Sequence, residues 1–140
     1  MKEHKEMKPS EEFDDYWIRA QNEHMDYPAS DDWRSGKWLV FCRKGETLDA
    51  MWEKVVEALD AEKLGRIAKV STMKPNPHET SPKDGVICVY TYSLDDLQDV
   101  RRVRQALREL GVTWKIPYKL NADIGRYRIQ GDTKISKLYE

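Results

Sequence analysis

The chain has 140 residues, of which 35% are charged and 39% hydrophobic, and its formal net charge is −1. This length is typical of one domain with a real core, and the apolar and aromatic content excludes disorder throughout. The N-terminal residues lack a signal-peptide pattern, and no apolar run approaches the roughly 18 residues of a membrane-spanning helix. We therefore expect a cytoplasmic protein with no membrane association.

The N-terminal segment, residues 1–34, is acidic, with a net charge of −5, whereas residues 35–140 carry +4. Ser10 is placed to cap a helix, because acidic residues follow it and Phe13, Trp17 and Ala20 recur at helical spacing. The sequence thus predicts an acidic segment with a docking helix over residues 1–34 and a single α+β domain over residues 35–140.

Strands and a helix alternate in the next part of the chain. Residues 37–42 form an apolar run typical of a strand, and Thr47 is placed to cap an amphipathic helix that ends near Gly65. Residues 66–71 alternate well enough for a half-buried strand, with Lys69 on the same side as Ile67 and Ser71. Three prolines between residues 73 and 84 predict a long loop.

Residues 86–92 carry no charge and are rich in β-branched and aromatic types, which predicts a central strand covered on both faces. A helix is expected from Ser93 to the stop at Gly111. Residues 114–119 predict an edge strand interrupted by Pro117, and residues 126–130 a last strand.

Four segments of the chain follow one another in this order: GKWLVF, GRIAKVST, VICVYTY and WKIPYKLNAD. Together they resemble the Bles-type protein family over about residues 35–140. That resemblance implies the fold of the cap-binding translation initiation factor 4E, a curved, mainly antiparallel sheet backed by helices and open to a ligand on its other side. Microbial members of the family often carry a phosphothreonine-lyase label. Cap-binding factors sandwich a base between two tryptophans, but the second tryptophan has no match here and Ser71 stands where their strand-end arginine is expected.

Exposed tryptophans can stack on bases, and basic residues at strand ends can gather around an anion on a curved sheet. Trp33 is the first candidate for stacking and Trp38 the second. The candidate basic residues are Arg66, Lys69, Lys74, Lys115, Lys119 and Arg126. The leading hypothesis is therefore a binding module for a phosphorylated ligand, a nucleotide or an RNA end; scattered solvated charges are the plainer interpretation.

Two other functions are open. Elimination of phosphate from phosphothreonine needs a base, an acid and cations, roles that Lys69, Lys74 and His78, with Arg66 beside the phosphoryl group, could fill. The helix ending at Gly111 also carries an arginine-rich face, Arg101, Arg102, Arg104 and Arg108, which could dock a protein partner.

Common catalytic motifs of nucleotide hydrolysis, dinucleotide redox chemistry and zinc hydrolysis are absent from the sequence. Cys42 and Cys88 are the only cysteines, each within a strand-like run, and are expected to be buried free thiols. We expect neither a metal nor a cofactor.

Overall fold

The computed structural model describes residues 2–3, 7–24, 36–77, 81–91, 97–120 and 138–140. Its strands are β1 (Lys2–Glu3), β2 (Trp17–Gln21), β3 (Gly36–Arg43), β4 (Ile67–Ser71), β5 (Asp84–Thr91) and β6 (Tyr118–Leu120). Its helices are α1 (Glu46–Asp60) and α2 (Leu97–Glu109), with a short 3₁₀ turn at Pro9–Glu11.

The strands form one sheet in the order β1-β2-β4-β5-β3-β6, antiparallel except for the short β1–β2 pair. β5 lies between β3 and β4, and β6 forms one edge, as the sequence predicts for both strands. Pro117 pairs with Tyr139 in an isolated bridge just before β6, whereas residues 114–116 are not in a strand. The predicted strand at 126–130 lies outside the described residues.

One face of the sheet carries the core. Alternate residues of β2–β5, among them Ile18, Val40, Val70 and Val89, are fully buried there. Helix α1 packs against this face and contacts β2, β3, β4 and β5, since Leu48, Trp52, Val55 and Leu59 form its apolar stripe. This periodicity predicts the helix correctly, although Gly45 at φ +108°, and not Thr47, precedes its first turn, and the helix ends at Asp60.

The prediction of a helix that begins at Ser10 is wrong. Only a single 3₁₀ turn forms there, and Trp17–Gln21 is a strand of the same sheet as the rest of the chain. Its alternation of half-buried and buried side chains places Ile18 and Ala20 in the core. Pairing with β4 gives the backbone N–H and C=O groups of this segment their hydrogen-bond partners. The free energy of that pairing outweighs the weak preference for a helix that the spacing of the aromatic residues indicates.

Helix α2 ends as predicted at Gly111, whose φ of +109° is favourable only for glycine. Gly111 N–H donates to the Arg108 carbonyl and Val112 N–H to that of Leu107, which closes the last turn. The predicted cap at Ser93 lies outside the described residues. Within the described part of the chain, neither helix is long and apolar enough to cross a bilayer.

Candidate ligand-binding site

The face of the sheet opposite α1 carries a cavity of about 590 Å³. Because side chains alternate along a strand, every second residue of each strand from β2 to β6 faces this side. The lining residues are Trp17, Lys37, Leu39, Phe41, Lys69, Ser71, Asn76, Ser81, Asp84, Gly85, Val86, Cys88 and Lys119. We call this surface the open face.

Three lysines from three strands line the cavity: Lys69 on β4, Lys37 on β3 and Lys119 on β6. Lys37 and Lys119 are direct cross-strand partners, so their Cβ atoms are about 5 Å apart. Lys69 lies opposite Cys88 on β5, and Cys88 in turn lies opposite Leu39. The lysines therefore surround a mostly apolar floor.

The three lysines and Cys88 influence one another's ionisation on this floor. Burial lowers the pKa of Lys37, and the Lys69 and Lys119 cations lower it further, against the opposing effect of Cys88. Burial raises the pKa of the Cys88 thiol, although all three lysines favour its thiolate. Cys88 is thus a neutral, buried group, and the positive charge in this part of the cavity comes from the lysines.

Aromatic side chains lie at the end of the cavity away from Lys37 and Lys119, next to Lys69. The Lys69 ammonium lies over the Trp17 ring, with Nζ 4.0 Å from the ring centroid. Phe41 is 44% exposed on β3, although its side chain is apolar. Asn76 and Ser81, from the loop between β4 and β5, and Asp84, the first residue of β5, add polar groups at this end.

Of the predicted binding residues, the structure brings Lys69 and Lys119 together in this cavity. Lys37 and Trp17 were missed. The sequence predicts a helix at Trp17, although the alternation of Trp17, Arg19 and Gln21 with Ile18 and Ala20 is equally compatible with a strand. Lys37 stands between two apolar residues in a strand that is apolar on both faces.

Trp38 is on the wrong side of the sheet for a ligand on the open face. Its side chain is 0% exposed, its indole Nε1 donates to the Val100 carbonyl at 2.9 Å, and its ring packs edge-on against Tyr118 at 5.2 Å. These contacts make Trp38 a core residue that connects β3 to α2. The prediction that its ring stacks on a ligand is therefore corrected.

The other predicted residues do not line the cavity. Arg66 precedes β4, and because it is three residues before Lys69 it falls on the other side of the strand's alternation. The Lys74 ammonium donates to the Asp14 carbonyl at 3.0 Å and lies 4.3 Å from the Tyr16 ring centroid. Lys115 is exposed in the connection before β6. Trp33, His78 and Arg126 lie outside the described residues.

The arginine face of α2 is less available than its sequence indicates. Arg104 is 1% exposed, and its guanidinium donates to three carbonyls, those of Val112, Trp114 and Glu140. Arg101 pairs with the Glu140 carboxylate at 3.0 Å, and Arg102 with Asp99 at 3.0 Å. Arg104 is therefore a structural residue and not part of a docking face.

Both cysteines are buried and free, as expected. In the part of the chain that the structure describes, no three His, Cys, Asp or Glu side chains are grouped closely enough to hold a metal ion.

Comparisons with known proteins agree with the observed fold. The family model described as basophilic leukemia-expressed protein Bles03 matches residues 9–122. The eIF4E-3 of C. elegans, solved in complex with the 4E-binding protein Mextli, is 20% identical with a TM-score of 0.54, over 74% of this chain and 64% of that chain. Schistosome eIF4E, solved with m7GpppA and 4E-BP, is 14% identical with a TM-score of 0.55, over 82% of this chain and 66% of that chain. The chain thus spans slightly less than two thirds of the length of each, and it shares their fold.

Proposed function

The chain belongs to the Bles03 family and has the eIF4E fold, and from this premise we propose that its open face binds a phosphorylated ligand, a nucleotide or an RNA end. The observation that carries the proposal is the convergence of Lys37, Lys69 and Lys119 on one cavity beside Trp17. Fold alone would not be sufficient, because one fold serves many functions.

The cavity fits such a ligand in size and chemistry. Its volume of about 590 Å³ lies within the range of small-molecule sites, which is roughly 300–1,000 Å³. Phosphate oxygens need cationic donors, which the three lysines supply, and a base needs an apolar or aromatic wall, which Trp17 and Phe41 supply. Asp84 offers an acceptor for the amino group of a base at that end.

The two solved eIF4E structures support the proposal by analogy, since one contains m7GpppA and both contain 4E-binding proteins. A cap is not specified for this chain, because the described residues place one tryptophan, Trp17, in the cavity, whereas cap-binding factors sandwich the base between two tryptophans.

The test is a titration of purified protein with ATP, GTP, AMP and short RNA with capped, triphosphorylated or hydroxyl 5′ ends. Intrinsic tryptophan fluorescence follows the binding, and because the chain has five tryptophans the part of the signal that comes from Trp17 is obtained by comparison with Trp17→Phe. We expect saturable binding to the phosphorylated ligands and none to the hydroxyl end. Lys69→Ala and Lys119→Ala should each weaken binding by about 1.5–3 kcal/mol, the range for hydrogen bonds to charged groups.

Lys54→Ala is the matched control, since Lys54 is exposed on α1, on the opposite side of the sheet. It should leave affinity unchanged. Trp17→Phe should retain more affinity than Trp17→Ala, because stacking contributes about 1–3 kcal/mol per base. Failure of every phosphorylated ligand to bind, or equal losses in Lys54→Ala and Lys69→Ala, would contradict the proposal.

The phosphothreonine-lyase and protein-interaction alternatives stay predictions. Lys74 is engaged with Asp14 and Tyr16 away from the cavity, and His78 is outside the described residues. Incubation with phosphothreonine peptides followed by mass spectrometry tests the lyase directly, because elimination yields a dehydrated residue.

A further inference from the structure

Arg19 is a cation of the open face that lies beside the cavity, one strand beyond Lys69. It is two residues after Trp17 on β2, and because side chains alternate along a strand it faces the same side of the sheet. Its direct partner on β4 is Lys69, so the Cβ atoms of these two residues are about 5 Å apart. Like charges directly opposite each other destabilise a sheet, so this pair lowers stability as long as no anion lies beside it.

The Arg19 guanidinium has a donor that the fold does not use. Its Nη2 donates to Gln21 Oε1 at 3.0 Å, whereas its Nε is buried and has no hydrogen-bond partner. Glu3 of β1 is its register partner on the other side, and among the side chains that the structure describes no carboxylate pairs with Arg19 or Lys69. A phosphate oxygen would satisfy the free donor, since the N–H groups of a guanidinium match the geometry of phosphate.

The cations of the open face form two groups. Lys37 and Lys119 are paired on β3 and β6, whereas Lys69 is paired with Arg19 and its ammonium lies over the Trp17 ring of β2. β5 lies between the groups, so Lys37 and Lys69 are two strand spacings, about 10 Å, apart. The two groups therefore suit two phosphates with a nucleoside between them better than they suit one phosphate.

We propose that Arg19 and Lys69 form a second phosphate position and that the ligand of the open face is single-stranded RNA rather than a mononucleotide. The terminal phosphate lies at Lys37 and Lys119, the first base lies against the aromatic wall, and the next phosphate lies between Lys69 and Arg19. This inference rests on the proposed function, because it extends the same site by one nucleotide. Proteins that bind single strands combine cations along the backbone with aromatic rings for the bases in this way.

The experiment measures the affinity of the purified protein for AMP and for the 5′-phosphorylated oligoadenylates pApA and pApApA at several salt concentrations. We expect pApA to bind at least about tenfold more tightly than AMP, because a hydrogen bond between charged groups contributes a factor of this size. The step from pApA to pApApA should give a smaller gain, because the described cations form two groups and not three.

Arg19→Gln is the key variant. It should weaken pApA binding by about tenfold and AMP binding much less, and it should reduce the slope of log affinity against log salt for pApA by about 0.7, the share of one phosphate contact. Arg108→Gln is the matched control, since Arg108 also donates to a glutamine, Gln105, but is exposed on α2, away from the open face. Lys119→Gln should weaken AMP and pApA by similar factors.

Thermal unfolding without ligand separates binding from folding. Arg19→Gln should be at least as stable as the unmodified protein, because it removes a cation opposite Lys69. A loss of stability together with equal losses of AMP and pApA affinity would make Arg19 a structural residue and overturn the inference.

Two further outcomes distinguish this inference from the proposed function. Equal affinities for AMP and pApA, or equal effects of Arg19→Gln and Arg108→Gln, would overturn the second phosphate position while nucleotide binding stands. Absence of binding to AMP and to both oligoadenylates would instead remove the proposed function, and the second position with it.

Discussion

Lys37 and Trp38 are neighbours in sequence, yet they face opposite sides of the sheet. In β3, Trp38 and Val40 face the core, while Leu39 and Phe41 face the open side, so both faces of the strand are apolar. Hydrophobicity alone therefore does not show which residues of β3 face the core. The sequence interpretation selected Trp38 as a ligand contact, whereas Lys37 is the residue that lines the cavity. The side of β4 on which Lys69 lies was predicted correctly, because Ala68 and Val70 show which residues of this strand face the core.

Gly36, the first residue of β3, allows the closest contact in this region. A Cβ at this position would overlap the Tyr118 ring, which also packs against Trp38 and shares a hydrogen bond of 2.6 Å with Thr91. Because the ring is buried and held on three sides, it cannot move aside cheaply.

We expect Gly36→Ala to lower the free energy of unfolding by about 1–3 kcal/mol, the usual cost of overpacking a well-packed core. Urea unfolding followed by circular dichroism measures it. Arg43→Ala, at the exposed end of the same strand, is the control and should change stability by less than about 0.5 kcal/mol. Equal stability of Gly36→Ala and the unmodified protein would show that the Tyr118 ring is not fixed.

Among the elements, the regular helices and the apolar strands could be predicted from sequence, and β2 could not. α1, β4, β5 and α2 carry strong periodicity or long uncharged runs, which are local properties. The strand β2 depends on pairing with β4, fifty residues later in the chain, where Ile18 lies opposite Val70. Sequence spacing near Trp17 does not contain that partner, so a helix fitted the local pattern equally well.

Helix α2 is attached to the rest of the fold by Arg104 as well as by its apolar stripe. The guanidinium donates to Glu140 O at 2.7 Å, Trp114 O at 2.8 Å and Val112 O at 3.0 Å. Two of these carbonyls belong to the connection after α2, and the third, that of Glu140, also accepts from the Ile116 N–H at 3.0 Å. Arg104 therefore supplies the hydrogen bonds that a regular element would supply.

Arg104→Met keeps an unbranched apolar stem but removes the side-chain donor from the Val112 and Trp114 carbonyls, whereas the Glu140 carbonyl keeps the Ile116 N–H. We expect a loss of about 2–4 kcal/mol, since each buried acceptor left unpaired costs about 1–3 kcal/mol and some become hydrated. The control is Arg101→Met, on the exposed side of the same helix, where an ion pair contributes less than about 1 kcal/mol. Thermal unfolding of the two variants compares them, and similar losses would contradict a structural role for Arg104.

For the whole molecule, burial on both sides of the sheet determines how stability depends on pH in alkaline solution. Burial raises the pKa of Tyr118 to about 12, from 10.0, and raises those of Tyr90 and Cys88. Each group is neutral in the fold and ionises more easily in the unfolded chain. Lys37 acts in the opposite direction, because its buried ammonium is unfavourable and that cost disappears as pH rises.

We expect the free energy of unfolding to fall as pH rises from 9 towards 11. In this window the unfolded chain loses protons from tyrosine and cysteine that the fold retains, so each such group lowers stability by up to about 1.4 kcal/mol per pH unit. Tyr118 contributes fully below pH 10, and its contribution is lost as pH approaches about 12. Tyr118→Phe should be less stable at pH 8, where the hydrogen bond to Thr91 is missing, and should lose less stability between pH 10 and 11. Urea unfolding at half-unit pH steps measures both curves, and parallel curves would mean that Tyr118 ionises as readily in the fold as in the unfolded chain.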